Sequence, residues 1–250
     1  MSTQSRIEWT ERTWNPTVGC TKISPGCKNC YAETMARRLH AMGTPGYENR
    51  FRLTLVPERL TEPLERRKPT VYFVNSMSDL FHEKVPFDYI RRVFDVMIRA
   101  PQHTFQVLTK RAEHMAEFCR GIEVPGNVWL GVSVENRKYG VPRIPVLRTI
   151  RARVRFLSVE PLLEDLGSID LNGIQWVIVG GESGWKARPM KPAWVESVKR
   201  QCDEARVAFF FKQWGTWGAD GEKRSKHANG RRYRGRLWDA MPQLALGPMP

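Results

Sequence analysis

Long apolar runs are missing from this 250-residue sequence, and none approaches the roughly 20 residues that cross a bilayer as a helix. Missing too is an apolar stretch behind Met1-Ser2-Thr3-Gln4-Ser5-Arg6, so the N-terminus does not read as a secretory signal and the expected location is the cytoplasm, with no membrane partner. No side-chain pattern repeats at the spacing of a solenoid. Acidic residues are scarce beside basic ones, 26 against 40, for a formal net charge of +14. A surface so basic attracts polyanions and speeds encounter with them. Nucleic acid is the obvious polyanion, although basic proteins commonly bind it without specificity. The excess lies in runs at residues 66–68, 148–155 and 223–236. Each is readable as a solvated face; together they keep a nucleotide or nucleic-acid substrate in play. Cysteine is also sparse, with five in all, yet three of them fall within eleven residues.

Those three define a loop at residues 14–31, Trp14-Asn15-Pro16 through Gly19-Cys20, Pro25-Gly26-Cys27 and Asn29-Cys30-Tyr31. Glycines permit tight turns and prolines fix φ, so such a loop can aim several thiolates at one point. In a reducing compartment, clustered cysteines read as metal ligands rather than disulfides. A closed structural zinc site takes four protein ligands, whereas a site that does chemistry keeps one position open. Iron–sulfur clusters are likewise held by cysteine thiolates. The preferred reading is an iron–sulfur cluster on Cys20, Cys27 and Cys30, with one iron left for a small molecule. A zinc site completed by His40 or His82 is the alternative, and the two differ in colour and oxygen sensitivity. Residues 31–42 lack Gly and Pro and predict a helix stopped by Gly43. Cys30 then sits at a helix N-terminus, where the dipole favours a thiolate. Cys119 and Cys202 stand alone in predicted helices and read as small buried hydrophobes.

From residue 70 the pattern becomes regular. Short apolar runs at 71–74, 104–108, 128–132, 154–157, 176–179 and 207–211 alternate with helical patterns at 86–99, through Cys119, and at 192–205. Continuous apolar runs suggest a parallel sheet buried on both faces, and the alternation suggests βαβ units. The expected fold is α/β: a parallel (β/α) barrel, full or partial, over residues 1–217. Residues 218–250 form a basic extension packed on the barrel or trailing from it, pinned back at 238–242. An open doubly wound sheet is the alternative. Earlier in the chain, 7–10 predicts an opening strand, 53–55 another, and 57–67 a short helix; disorder is expected at 246–250.

Nearly every apolar run ends in polar residues, and the carboxyl end of a parallel sheet or barrel is where ligands bind. Candidate cofactor-binding residues are Asn75, Ser133, Glu160, Gly180, Gly181 and Glu182. Candidate catalytic residues are Lys110, Glu135 and Lys212. The Gly180-Gly181 pair would let backbone approach a ligand while Glu182 accepts a hydrogen bond. The tripeptide Ser-Val-Glu closes two neighbouring runs, at Glu135 and Glu160. Lys110, Arg111 and Lys212 supply charge suited to a carboxylate or phosphate, and Asp79 is a further polar contact. Some of these groups are expected to form internal salt bridges instead. His82, His103 and His114 have no partner identifiable from sequence.

The blocks Ile7-Glu8-Trp9-Thr10, Thr13-Trp14-Asn15-Pro16, Pro25-Gly26-Cys27 to Cys30-Tyr31-Ala32-Glu33, Asn75 to His82, Phe105 to Arg111, Leu157 to Leu162, Gly180 to Gly184 and Phe210 to Gly215 resemble a phage- and prophage-associated family with a three-cysteine motif and no characterised activity. One level up, clustered cysteines near the start of a barrel resemble the radical S-adenosylmethionine (SAM) superfamily. That resemblance implies a four-iron cluster on Cys20, Cys27 and Cys30, SAM on the open iron, and polar strand ends that hold SAM. It also implies one-electron cleavage to a 5′-deoxyadenosyl radical that abstracts hydrogen from substrate, and an electron donor such as flavodoxin or ferredoxin. The chain departs from the superfamily pattern in its cysteine spacing, in Tyr31 following the last cysteine instead of an aromatic preceding it, and in the late position of Gly180-Gly181-Glu182. The expected function is radical-SAM chemistry on a nucleotide, nucleobase or nucleic acid. Its rivals are a nucleic-acid-binding protein with structural zinc and a zinc-dependent hydrolase or nuclease.

Overall fold

The computed structural model describes residues 3–5 and 7–243. The chain forms two compact units, Met1–Ile23 with Cys30–Leu130 and Ile150–Arg153, and Ser24–Asn29 with Gly131–Thr149 and Val154–Pro250. In the first, β1 (Thr3–Gln4) pairs antiparallel with β2 (Arg12–Trp14). A second pair, β3 (Thr17–Val18) and β4 (Thr54–Leu55), stands apart from the main sheet, and α1 (Tyr31–Ala41) lies between them in sequence. The chain continues as β5 (Val71–Val74), α2 (Phe87–Arg99), β6 (Thr104–Thr109) and α3 (Ala112–Cys119), with β5 parallel to both β2 and β6. Tyr72 stacks on Phe105 at 5.6 Å, and Trp14 meets the same ring at 5.6 Å. Residues Ile90, Val93, Phe94 and Met97 recur at three- and four-residue spacing, so α2 buries them along one stripe.

Two expectations in this unit are corrected. Residues 7–10 are a turn, closed by Thr10 N–H on the Ile7 carbonyl at 3.3 Å, while Trp9 packs edge-on against Phe73 at 4.7 Å; ladder pairing begins only at Arg12. Residues 57–67 are two short 3-10 turns, Pro57–Arg59 and Glu62–Glu65. Pro63 lacks the N–H that a continuous α-helix needs and closes off the run.

β7 (Val128–Ser133) is buried along its length and contributes residues to both units. The second unit adds α4 (Arg143–Arg148), β8 (Val154–Val159), β9 (Trp176–Gly180), α5 (Pro192–Glu204), β10 (Ala208–Gln213) and α6 (Lys226–Asn229). β9 runs parallel to β8 and to β10. The strand order is β1-β2-β5-β6-β7-β8-β9-β10, with seven strands parallel and β1 antiparallel at one end. β1 and β10 are not neighbours, so the α/β fold takes the partial form of a (β/α) barrel. Beyond residue 217 the chain runs back along β10. Phe211 N–H donates to the Trp238 carbonyl at 2.8 Å, Trp176 Nε1 to the Ala240 carbonyl at 2.9 Å, and Lys199 Nζ lies 4.2 Å from the Trp238 ring centre. The expectation for residues 246–250 falls outside the described residues. Among those described, no helix is long and apolar enough to cross a membrane.

The end of β9 comes very close to the end of β10. A Cβ on Gly181 would lie 1.9 Å from the Trp214 carbonyl oxygen, a backbone atom that cannot step aside. Overpacking of this kind costs on the order of 1–3 kcal/mol, so Gly181→Ala is expected to lower Tm by roughly 2–12 °C in a thermal melt. An unchanged Tm would show that the two strand ends part readily enough to admit a methyl group.

Candidate functional site

None of the five cysteines is in a disulfide; Cys20, Cys27 and Cys30 are partly exposed, and Cys119 and Cys202 are buried. Burial pushes the Cys119 and Cys202 thiols up to about 12, which keeps them protonated and unreactive.

In the first unit, Gly19 adopts φ +80°, and a Cβ there would fall 2.1 Å from the Arg52 carbonyl oxygen. Only glycine fits, and Cys20 N–H then donates to the Phe51 carbonyl at 3.1 Å. Arg111 Nη1 reaches the Cys20 sulfur at 3.6 Å. Its guanidinium is only 4% exposed and also donates to Asp79 Oδ2 at 3.0 Å, Glu83 Oε1 at 2.8 Å, and the Thr21 carbonyl and hydroxyl at 3.2 and 2.9 Å. Burial works against this charge, but Asp79, Cys20 and Glu83 more than offset it and hold Arg111 above its usual range. A fixed cation beside a cysteine favours the thiolate, the form that binds metal. Cys30 is the N-cap of α1, as the sequence predicts, and packs against the cluster of Val18, Ala36, Tyr47 and Met77.

Asp79 in turn accepts from Thr109 Oγ1 at 2.7 Å and from Lys110 N–H at 3.1 Å, which gathers the ends of β5 and β6. Lys110 is half-buried there. Asn75 is buried with φ 59°, and its side-chain amide donates to Thr17 Oγ1 at 2.8 Å. The histidines have partners that sequence could not supply. His82 Nδ1 accepts from Lys84 N–H at 3.1 Å, so Nε2 carries the proton toward Thr21 Oγ1 at 2.9 Å. Burial, then the Arg111 charge, pushes the His82 pKa down, and the ring is neutral at neutral pH. His40, His103 and His114 each place a ring nitrogen 2.8–3.0 Å from a backbone carbonyl. A cleft of about 1230 Å³ opens at Cys20, lined by His40, Arg50, Arg52, His82 and Lys84 among others. Sequence reasoning passed over Arg50 and Arg52 because their segment has no periodic pattern.

In the second unit, Cys27 ends the 3-10 turn Pro25–Cys27, with its sulfur 3.7 Å from Ser24 Oγ. A Cβ on Gly26 would meet the Glu135 carboxyl at 3.2 Å, so this turn rests on Glu135. Glu135 is fully buried and bound by Arg143 at 2.6 Å, whose Nη1 also donates to the Ser133 carbonyl at 2.7 Å. Glu160 accepts from Lys212 Nζ at 2.9 Å and Ser158 Oγ at 3.2 Å, and the missing Cβ of Gly180 makes room for it. Glu182 takes both Arg188 Nη2 at 2.6 Å and Nε at 3.0 Å, and also Asn29 Nδ2 at 3.0 Å. Asn29 is the residue before the last cysteine, so Glu182 holds the cysteine loop directly. Burial would raise the Glu182 pKa, but the bonds from Arg188 and Asn29 outweigh it and leave the carboxyl below its usual range. The strand-end carboxylates are thus each matched by a cation. Arg143 and Arg188 carried no sequence signal, and Asn29 had only its place inside the motif.

Among the described residues, no three His, Cys, Asp or Glu side chains gather around a single ion. The side chains in the loop are three cysteines, none in a disulfide, and cysteine thiolates are what hold iron–sulfur clusters.

A family model described as a protein of unknown function (DUF5131) matches residues 4–242. No curated protein matches the chain. Solved structures of spore photoproduct lyase align with TM-score 0.47 at 12% identity, one complexed with dinucleoside spore photoproduct and one a variant with bound AdoMet and the same dinucleoside. The alignment covers 83% of this chain and 65% of the lyase, so the chain spans just under two thirds of that protein's length.

The lowered pKa of Glu182 sets a pH dependence. Its stabilising contribution is present above the ordinary glutamate value of about 4.3 and is lost as pH falls through the lower folded-state value. In melts between pH 6 and pH 3, wild type is expected to lose more stability than Glu182→Gln; parallel curves would show that this carboxylate does not contribute to acid lability.

Proposed function

The chain belongs to the DUF5131 family, and from that premise we propose that it is an iron–sulfur enzyme of radical-SAM type acting on a nucleotide, nucleobase or nucleic acid. Cys20, Cys27 and Cys30 would hold a 4Fe-4S cluster. When bound, that cluster supplies the electron for reductive cleavage of SAM. The observation that carries this reading is the set of three partly exposed cysteines in one short loop, none in a disulfide and the first of them against a buried guanidinium.

The other residues divide by what they can reach. Arg111 donates to the Cys20 sulfur and fixes its direction. Glu182 positions the cysteine loop through Asn29, and Glu135 does so beneath Gly26. The backbone at Gly180 and Gly181, with Glu160, Ser133 and Asn75, is the proposed cradle for SAM. Lys110 and Lys212 are the proposed contacts for an anionic substrate, and their half-buried setting strengthens such charge-assisted bonds. The net charge of +14 and the basic lining of the cleft at Cys20 support a polyanionic substrate. A donor such as flavodoxin or ferredoxin would deliver the electron, in the cytoplasm.

Anaerobic purification with iron and sulfide analysis tests the centre, and reduction with SAM tests the chemistry. Brown protein that releases 5′-deoxyadenosine is expected, with iron lost in Cys20→Ala, Cys27→Ala and Cys30→Ala. Cys119→Ala and Cys202→Ala, at buried protonated thiols, are expected to keep their iron. Colourless wild-type protein carrying zinc, or iron retained in the Cys20 variant, would overturn the proposal.

A further inference from the structure

Trp185 is 85% exposed. Tryptophan is enriched at recognition surfaces, where its apolar ring meets a partner while its N–H stays wet. This one is also held in place. Lys223 Nζ lies 4.8 Å from its ring centre and donates to its carbonyl at 2.9 Å. The same ammonium is 5.9 Å from Trp217, which pairs with Lys223 as an antiparallel bridge and donates from Nε1 to the Ala187 carbonyl at 2.7 Å. The turn that presents Trp185 is tied on both sides. Gly184 N–H donates to Thr216 Oγ1 at 2.9 Å, and Asn29 Nδ2 donates to the Lys186 carbonyl at 2.8 Å.

The surrounding charge selects among partners. Arg188 is taken by Glu182 and Arg224 by Asp220, while Lys223 lies at the ring and the exposed Lys186 follows Trp185 in the chain. A bare indole face among lysines matches an unpaired nucleobase with its phosphate: the base stacks on the ring and the ammonium groups meet the backbone. A paired base offers no such face. We propose that Trp185 is a stacking platform for an unpaired base of a single-stranded nucleic acid, with Lys223 and Lys186 flanking it for the phosphates. This rests on the nucleic-acid reading of the substrate. It places a recognition residue one position before Lys186, whose carbonyl takes the Asn29 contact that secures the cysteine loop.

The test is fluorescence anisotropy with the full chain, cluster reconstituted, and a labelled thymidine oligonucleotide of roughly 12 nucleotides, single-stranded and as its duplex. Trp185→Ala is expected to weaken single-strand binding about tenfold or more, Trp185→Phe to retain most of it, and duplex binding to stay unchanged. Neither variant removes a phosphate contact, so the dependence on log salt keeps its slope, whereas Lys223→Gln lowers that slope by about 0.7. Wild-type affinity in Trp185→Ala, or an equal loss in the alanine and phenylalanine variants, overturns the proposal. So does wild-type protein that binds neither oligonucleotide at low salt. Release of 5′-deoxyadenosine on the same samples without oligonucleotide reports the radical-SAM reading separately. Its absence defeats that reading and leaves the anisotropy result to decide the role of Trp185.

Discussion

The buried guanidinium of Arg111 is the constraint on which the arrangement around Cys20 in the first unit depends. Taking a cation out of water costs several kcal/mol unless it is paired and fully hydrogen-bonded. Arg111 meets that demand with two carboxylates, a hydroxyl, a carbonyl and the Cys20 sulfur. Those partners come from the cysteine loop and from the segment after β5, so satisfying one charge locks both to the end of β6. Lysine could not do this, because a point ammonium lacks the planar fork that reaches several acceptors at once.

The second unit repeats the logic with carboxylates. Glu135, Glu160 and Glu182 sit at or just beyond the ends of β7, β8 and β9, and each is matched by Arg143, Lys212 or Arg188. Burial forbids leaving such groups bare, and glycine at positions 26 and 180 gives them room. Each such pair removes one acid and one base together, so the net charge of +14 remains on the rest of the chain.

The two roles meet at Asn29. Its side chain joins Glu182 to the cysteine loop and, through the Lys186 carbonyl, to the turn that carries Trp185. Loop geometry, strand-end electrostatics and an exposed aromatic platform are linked by one amide. A ligand that settled on Trp185 would bear on the same hydrogen bonds that position the residue before Cys30.

Local patterns determined much by themselves. The six apolar runs, the helix opening at Tyr31, the burial of Cys119 and Cys202 and the three-cysteine spacing all follow from residues near one another, because propensity, periodicity and burial act over a few positions. Where a local rule competed with another, the reading slipped: Trp9 looked like strand but turned to bury its ring, and Pro63 broke a helical pattern. What only tertiary structure decided is the pairing. Arg111 reaches Cys20 across 91 positions, and Asn29 reaches Glu182 across 153. Nothing in either neighbourhood names the other, since a buried charge demands a partner without specifying where in the chain that partner lies.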